Sequence, residues 1–327
     1  MFPWGGGLLR GHIFEQIVCV DNLLLAWKEF SRGKRSKQDV QEFEFSLEDN
    51  LFQLHKELAS GKYKVDPYKA FYINDPKLRL IHKASVRDRV LFQAVYRVLY
   101  PIFDKGFFCD SFASREGKGT HAGVNRLEKF LIKASGNNKK KVWALKCDVS
   151  KFFDSIDHNI LLSLIRKKIN DKQTLDLLRV IIGSFEKNSG KGLPLGNVTS
   201  QLFANIYLHE LDFYVKQRVK IKYYLRYCDD FVILALDNDF EDLIAMIWDF
   251  LKSELRLELH PRKIEICSYW QGIDFLGYVL RPHHRTLRTK TKQRMLRRIN
   301  EENATSYFGI LRHCRGHEIE QEARRAL

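Results

Sequence analysis

The stretch that decides the fold is Tyr223-Tyr-Leu-Arg-Tyr-Cys-Asp-Asp-Phe-Val-Ile-Leu234, in which two apolar runs flank a pair of carboxylates. This pattern predicts a strand, an acidic turn and a second strand. A third apolar run, Val142–Cys147, leads directly into Asp148. If these strands are neighbours in one sheet, Asp148, Asp229 and Asp230 lie within a few ångströms of one another.

Three carboxylates that close together repel one another, and divalent cations are the usual counter-charge. Two Mg²⁺ ions about 3.5–4 Å apart support in-line attack of a hydroxyl on a phosphate. We therefore expect a two-magnesium site for nucleotidyl transfer, with Mn²⁺ as a substitute ion. The structural alternative is that Asp229-Asp230 is only a hairpin turn and Asp148 only a helix cap.

The charge of the chain indicates a polyanionic partner. Its 327 residues include 55 Lys and Arg against 40 Asp and Glu, a net charge of +15. Such a surplus is typical of proteins that bind nucleic acid or an acidic membrane surface, although a well-solvated basic protein would show it too. The tail Arg281–Leu327 holds 12 Lys or Arg against 5 Glu, so it carries +7 of this charge.

Several classes of protein are disfavoured. No run of 18 apolar residues is present, which predicts no membrane span. Met1–Val20 lacks the basic start, apolar stretch and cleavage site of a secretory signal. The six cysteines are scattered without a CxxC pair, as expected for reduced thiols rather than a disulfide framework or a zinc knuckle. These observations predict a cytoplasmic protein.

Periodicity outlines the other elements. The apolar stripe Val40–Leu58 predicts one helix ended by Gly61, and Tyr63–Ile81 reads as a hairpin with its turn at residues 74–77. Further segments follow, namely a helix Arg87–Tyr100 stopped by Pro101, a helix His158–Ile169, a glycine-rich loop Gly190–Gly196, a helix capped by Thr199 or Ser200 and running to Val219, a helix Asp239–Leu255 and a strand pair within Ile264–Leu280. Strands interleaved with helices predict an α+β fold.

An ordered set of motifs resembles the reverse transcriptases. Tyr227-Cys-Asp-Asp230 together with Asp148-Val-Ser-Lys-Phe-Phe-Asp154 resembles their paired palm motifs. The other matching segments are Val86–Val90 and Ser111–Arg115 for the fingers, Leu193–Gly196 for the loop that holds the template base and nucleotide, Leu257–Lys263 for the lysine motif and Phe275–Tyr278 for the primer grip. The resemblance spans roughly residues 60 to 315.

The resemblance implies a right-hand polymerase fold with helical and hairpin fingers, a ferredoxin-like palm sheet and a short helical thumb. By this resemblance, residues 1–141 form an N-terminal extension and fingers. Residues 142–280 form the palm, with a finger-side insert around 170–192, and residues 281–327 form the basic thumb. We expect Arg281–Arg298 to form thumb helices that track the template–primer backbone.

The resemblance also assigns roles at the reaction centre. Asp148 and Asp229 would bind both metals, Asp230 would complete the cluster, and the backbone carbonyl of Val149 would be a further ligand. Lys263 would donate a proton to pyrophosphate or balance its charge.

Other residues would hold the nucleotide. Arg79 and Arg115 would contact the β- and γ-phosphates, although Arg79 also reads as a solvated hairpin arginine. Phe153 would collide with a ribose 2′-hydroxyl and so select DNA synthesis, unless it is only a core residue. Leu195 and Gly196 would lie at the templating base pair. High-fidelity retroviral enzymes have a glutamine at the position of Leu195, and its amide can hydrogen-bond the substrate. Leucine cannot form this bond, which predicts low fidelity. The remaining candidates would bind nucleic acid, namely Arg87, Asn197, Ser200, Gln201, Gly277, Arg288, Lys290, Lys292 and Arg297.

Two segments favour one subgroup. Leu193–Gln201 and Ser306–Cys314 resemble the enzymes of diversity-generating retroelements, and retron signatures are not found. The chain stops 50 residues after Gly277, so we expect no maturase region, RNase H domain or endonuclease domain in it.

This subgroup resemblance implies mutagenic retrohoming, in which a template-repeat RNA is copied, with dNTPs as substrates, into a cDNA with errors at adenines. It also implies a small basic accessory protein, the variability determinant, in a bacterial or phage cytoplasmic ribonucleoprotein. The alternatives are a retron, defence-associated or group II intron-like enzyme, or a polymerase-fold module that binds RNA without copying it.

Overall fold

The structure is a computed structural model that describes residues 12–74, 78–325 and 327. Its helices are α1 (Ile13–Val18), α2 (Val20–Ser31), α3 (Gln38–Phe45), α4 (Leu47–Ala59), α5 (Val86–Asp104), α6 (Thr120–Ala134), α7 (Phe152–Ser155), α8 (His158–Arg166), α9 (Lys172–Gly183), α10 (Val198–Phe213), α11 (Glu241–Leu255), α12 (Thr289–Arg298), α13 (Ala304–Leu311) and α14 (His317–Arg325). Its strands are β1 (Lys69–Asn74), β2 (Leu78–Lys83), β3 (Trp143–Asp148), β4 (Tyr224–Tyr227), β5 (Asp230–Ala235), β6 (Glu265–Ser268), β7 (Ile273–Phe275), β8 (Tyr278–Arg281) and β9 (His284–Leu287). A π-helical turn, Tyr214–Arg218, follows α10, and a 3₁₀ turn, Pro261–Lys263, precedes β6.

The chain forms two compact units. The first contains the residues up to Phe107, Lys151–Glu210 and Ser253–Leu257, and the second contains Phe108–Ser150, Leu211–Lys252 and Glu258–Leu327. Both units are mixtures of helix and sheet, and every ladder in the described sheets is antiparallel. The expected α+β class is confirmed at this level.

The first unit is built on helix packing. Helix α5 contacts α1, α2 and α3, and the apolar positions of these helices recur at helical spacing and are buried. Pro101 lies inside α5, so the prediction that it stops the helix is wrong. Proline removes one backbone donor there, but Tyr100 and Phe103 are buried on the same helix, and this packing holds the last turn in place.

Two other predictions in this unit need correction. The stripe Val40–Leu58 forms two helices, α3 and α4, because Ser46 between them has a non-helical backbone (φ −119°, ψ 44°). Thr199 and Ser200 lie inside α10 rather than at its cap. The hairpin is confirmed by the pairing of β1 with β2, from Lys69 opposite Lys83 to Asn74 opposite Leu78, while residues 75–77 of its predicted turn lie outside the described residues.

The second unit is organised around a four-stranded sheet with the strand order β4-β5-β3-β6. Helix α6 packs on β4 and β5, and its Leu127 and Leu131 enter a core that also contains Leu225 and Val232. Helix α6 covers the face of β5 that carries Val232 and Leu234, while Phe231 and Ile233 are buried on the opposite face of the strand.

A second sheet of this unit contains β7, β8 and β9 in that order. Strand β9 occupies His284–Leu287, so the prediction that Arg281–Arg298 is helical throughout is wrong for its first part. The alternation of Arg285 and Leu287 toward the buried side favours the strand, and the basic helix begins only at Thr289. Within the described residues, no helix has the length and apolar character needed to cross a membrane.

Candidate active site

The second unit brings the three carboxylates together at one end of its four-stranded sheet. Strand β3 pairs with β5 in a register that sets Asp148 opposite Asp230. Strand β4 pairs with β5 so that Tyr227 also lies opposite Asp230, which leaves Cys228 and Asp229 as the turn between the two strands. The Val149 amide donates to the Asp229 carbonyl over 3.3 Å, and this hydrogen bond ties the end of β3 to that turn.

Lys263 completes the cluster. Its Nζ lies 2.6 Å from Oδ1 of Asp148. The 3₁₀ turn that carries Lys263 is held against the end of β3, because the His260 amide donates to the Asp148 carbonyl at 2.8 Å and Leu259 bridges to Val149. Proline at the start of this turn has no amide hydrogen to satisfy there, which suits that position.

The electrostatics of the cluster are those of crowded like charges. Burial, followed by the charge of Asp148, raises the pKa of Asp229 above its usual range. Burial and the charges of Asp229 and Asp148 raise the pKa of Asp230 to about 7, although its side chain still reaches solvent. The ammonium group of Lys263 opposes both shifts and is too little to cancel them.

This donor set suits divalent metal ions. Hard cations such as Mg²⁺ prefer carboxylate oxygens, and bound divalent ions would relieve the repulsion that raises these pKa values. In the described part of the chain, no three His, Cys, Asp or Glu side chains already stand in metal-binding geometry, and Lys263 is bonded to Asp148. The carboxylates fit the metal by their chemistry and by their shared location at one end of the sheet, and not by a preformed ligand geometry.

A buried arginine beneath the turn was missed by the sequence reasoning. Arg226 is 1% exposed, and its Nε and one terminal nitrogen bind the two carboxylate oxygens of Asp212 at 2.7 and 2.6 Å. Burial alone would lower the pKa of Arg226, but the charge and hydrogen bonds of Asp212 raise it. The available signal was a cation in the middle of the apolar strand Tyr224–Tyr227.

Arg115, a predicted phosphate ligand, lies in the same unit. One terminal nitrogen of Arg115 donates to the carbonyls of Phe108 and Ser111 at 2.6 and 3.1 Å, so the guanidinium holds its own loop.

The predicted primer-side residues also lie in the second unit. Gly277 forms the turn between β7 and β8 with φ +89°. Arg288 fixes this turn, since its amide donates to the Gly277 carbonyl at 2.9 Å and its Nε donates to Asp274 at 2.6 Å. A cavity of about 80 Å³ is lined by Asp230, Leu276 and Arg288 among others.

The other thumb candidates lie on α12. Lys292 pairs with Glu322 at 2.9 Å, whereas Lys290 and Arg297 are exposed.

The remaining candidates lie in the first unit. Phe153 is half-buried beside the buried Phe152, with the ring centroids 5.3 Å apart. The Leu193 amide donates to the Phe153 carbonyl at 2.8 Å, which joins the glycine-rich loop to α7. In that loop Leu195 is half-buried, and Gly196 is exposed with φ +106°, a conformation that favours glycine.

The nucleic-acid candidates of this unit differ in their surroundings. Asn197 and Ser200 are buried, whereas Gln201 is exposed. Arg79 is exposed on β2. Arg87 is bound by acidic partners, with Glu57 at 2.8 Å and Asp66 at 3.0 Å, so its charge is already compensated.

Comparison with known proteins identifies the class. The family model described as reverse transcriptase (RNA-dependent DNA polymerase) matches residues 73–280. The match covers well over half of the chain, and it contains the strands and the turn that carry the three carboxylates. The chain belongs to the reverse transcriptase family, and the prediction of an RNA-directed DNA polymerase is confirmed.

The individual relatives share about a quarter of their aligned residues with this chain. The chain is 26% identical over 303 residues to Protein YkfC of Escherichia coli K12, in an alignment that covers 79% of this chain and 77% of YkfC. It is 24% identical over 306 residues to the group II intron-encoded protein LtrA of Lactococcus lactis, covering 72% of this chain. It is 22% identical over 305 residues to the nuclear intron maturase 3 of Arabidopsis thaliana. The chain spans half of LtrA and 40% of the maturase.

Proposed function

We propose that this reverse transcriptase joins nucleotides at the Asp148, Asp229 and Asp230 cluster by a two-metal mechanism. The observation that carries the proposal is the register of β3 against β5, which sets Asp148 opposite Asp230 beside a turn that presents Asp229. Raised pKa values at Asp229 and Asp230 support it, because a cluster held together at that electrostatic cost is suited to positive ligands.

The residues of the cluster would act as follows. Asp148 and Asp229 would hold both ions, with Asp230 and the Val149 carbonyl completing the set. Two bound Mg²⁺ ions, or Mn²⁺ in their place, supply activation of a primer hydroxyl and stabilisation of charge on the phosphates. Lys263 carries protons on its Nζ at the edge of the cluster, and it would donate one to departing pyrophosphate or offset its charge.

Substrate selection would rest on side chains outside the carboxylate cluster. Phe153 would exclude a ribose 2′-hydroxyl and so restrict synthesis to DNA. Arg79 and Arg115 would contact the triphosphate, for which Arg115 would exchange its present carbonyl partners for phosphate oxygens. Leu195 and Gly196 would lie at the templating pair. Primer and template would contact Arg87, Asn197, Ser200, Gln201, Gly277, Arg288, Lys290, Lys292 and Arg297.

The subdomain layout is part of the same proposal. We assign residues 1–141 to the N-terminal extension and fingers, 142–280 to the palm and 281–327 to the thumb. The antiparallel four-stranded sheet with α6 on one face supports a palm, and the exposed hairpin of β1 and β2 supports fingers. The basic helix α12 supports a thumb that contacts phosphates.

We further propose that the enzyme is of the diversity-generating type. The motifs Leu193–Gln201 and Ser306–Cys314 support this assignment. This assignment implies that the enzyme copies a template-repeat RNA with cDNA errors at adenines. It also implies a small basic accessory protein and a cytoplasmic ribonucleoprotein. Copying a defined RNA and sequencing the cDNA tests it, with Leu195→Gln as the comparison. Errors spread evenly over the four template bases, or no more frequent than in Leu195→Gln, would contradict it.

A group II intron-like reverse transcriptase is the second candidate. The observation that favours it is the similarity to LtrA, which its name describes as encoded by a group II intron. The genomic neighbourhood separates the two candidates, because a nearby repeat pair that differs mainly at adenines supports the diversity-generating type.

The catalytic proposal is tested with Asp148→Asn, which keeps the shape of the side chain and removes its charge. We expect Mg²⁺-dependent primer extension to fall by several orders of magnitude while the protein stays folded. Asp249→Asn is the matched control, because this exposed carboxylate on α11 lies outside the cluster. Equal extension by Asp148→Asn and the parent would refute the proposal.

A further inference from the structure

The turn that carries Asp229 contains a residue with an unusual backbone conformation. Cys228, a residue with a side chain, adopts φ +58°, the left-handed region that favours glycine. Such a conformation persists only where the surrounding structure imposes it. The position of Asp229 depends directly on this backbone, since it follows Cys228 in the turn between β4 and β5.

Arg226 is hydrogen-bonded to the residue that adopts this conformation. Its second terminal nitrogen donates to the Cys228 carbonyl at 3.0 Å, while the rest of the guanidinium binds Asp212. Tyr224 donates from its hydroxyl to Oδ1 of Asp212 at 2.6 Å, the same oxygen that accepts from Nε of Arg226. Arg226 itself is anchored by its backbone, because its amide donates to the Asp110 carbonyl and its carbonyl accepts from the Phe112 amide.

Stability alone does not account for a wholly buried ion pair. Asp212 is 0% exposed and Arg226 1%. The desolvation of such a pair consumes most of its attraction, and well-packed apolar side chains often serve as well. What apolar side chains cannot do is donate a hydrogen bond to the Cys228 carbonyl. The planar guanidinium has donors for a carboxylate and a carbonyl at once, in fixed directions.

We propose that Arg226 is a positioning residue, held by Asp212 and Tyr224, that fixes the Cys228 carbonyl and thereby sets Asp229 and Asp230 against Asp148 for metal binding. This inference rests on the proposed function, because it assigns to the Arg226–Asp212 pair the task of shaping that metal site. Partners that orient the ligands of a metal typically change metal affinity or activity by about 10–100-fold when they are removed.

The test is Arg226→Lys, which keeps a buried cation beside Asp212 but cannot reach both partners with a fixed fork. Binding of Mn²⁺ to the full-length protein is measured by the electron paramagnetic resonance signal of the free ion. The Mg²⁺ concentration at half-maximal primer extension is measured alongside, and template–primer affinity is measured in EDTA. We expect metal affinity to fall by about 10-fold or more, with template–primer affinity unchanged.

Arg285→Lys is the matched control. Arg285 is also a buried arginine, 9% exposed, that binds a carboxylate and a backbone carbonyl, those of Glu128 and His313, away from the acidic turn. We expect it to lower stability without changing metal affinity. If both substitutions weaken metal binding equally, or neither does, Arg226 has no positioning role.

Tyr224→Phe gives a second route if Arg226→Lys does not fold. It removes one hydrogen bond to Asp212 and keeps the ion pair, so we expect a smaller weakening of Mn²⁺ binding in the same direction. Unchanged Mn²⁺ affinity in this variant would overturn the inference. The proposed function fails separately if the parent protein binds Mn²⁺ without extending a primer, and a parent that binds no Mn²⁺ would overturn both the proposed function and this inference.

Discussion

Replacing Asp230 by asparagine is expected to stabilise the metal-free protein while abolishing its activity. Burial and the charges of Asp229 and Asp148 raise the pKa of Asp230 from 3.8 to about 7. A carboxyl whose pKa is raised in the folded state binds its proton more tightly there than in the unfolded chain. The stability it contributes is therefore present below about pH 4 and is lost as the pH rises through about 7.

The size of the effect follows from the same values. The difference is about 3 pH units, and at 1.36 kcal/mol for each unit the ceiling is about 4 kcal/mol. Because the Asp230 side chain reaches solvent, screening reduces this figure, and we expect about 1 kcal/mol. Asp230→Asn removes the charge and keeps the shape, so it should gain this amount at pH 8 and little at pH 4.

Urea unfolding in EDTA at pH 4, 6 and 8 measures the free energy of unfolding of both proteins. The parent should lose stability relative to Asp230→Asn between pH 4 and pH 8, and saturating Mg²⁺ should stabilise the parent more than Asp230→Asn, which keeps Asp148 and Asp229 but lacks the third carboxylate. Asp249→Asn serves as the control for removal of an exposed carboxylate. A destabilised Asp230→Asn at pH 8, or a difference that does not depend on pH, would refute the reasoning about crowded charges.

Two further predictions concern the substrates. Phe153→Val should admit ribonucleotides during primer extension. Phe152→Val, which alters the buried neighbour, should lower stability without changing the discrimination between dNTPs and rNTPs. Unchanged discrimination in Phe153→Val would mean that the ring does not touch the sugar. The second substrate prediction is that neutralising Arg288, Lys290, Lys292 and Arg297 weakens template–primer binding for all sequences alike. The slope of log binding constant against log salt concentration should fall by about one for each phosphate that is no longer neutralised. The same number of substitutions at Lys133, Lys139, Lys140 and Lys141 is the charge-matched control, and an equal weakening in both sets would show that only net charge matters.

The centre of the second unit could be predicted from the sequence because its signals are local. In the run Tyr223–Leu234, two stretches of strand-forming residues flank an acidic turn, and the structure has β4 and β5 there. Asp148 at the end of an apolar run indicated a strand end, and the pairing of β3 with β5 bears out the expected neighbours. The register itself, which sets Asp148 opposite Asp230, depends on long-range packing that no local pattern shows.

The errors of prediction have the same physical origin. Pro101 is a helix breaker by propensity, and only the burial of Tyr100 and Phe103 shows why α5 continues through it. The resemblance to a polymerase with a helical thumb predicted helices over Arg281–Arg298, but the first part of this segment pairs with β8 as a strand. A resemblance at the level of subdomains does not reveal which short segments pair as strands.

The partnership of Arg226 with Asp212 could not be predicted for a related reason. Asp212 lies at the end of α10, and Arg226 lies in β4, so only the tertiary fold joins them. Lys263 was identified through its motif, whereas its bond to Asp148 is a result of the structure. Candidate site residues can thus be recognised in the sequence, whereas the side chains that they contact are determined by the tertiary fold.

The measurement that tests the central claim most directly is primer extension on a defined RNA template by the purified full-length protein in Mg²⁺, with dNTPs or rNTPs supplied separately. Parent protein and Asp229→Asn are compared at equal folded concentration. The account predicts that the parent makes an alkali-resistant DNA product from dNTPs only, and that Asp229→Asn makes none. Full activity of Asp229→Asn, or extension by neither protein on any RNA template, would contradict it.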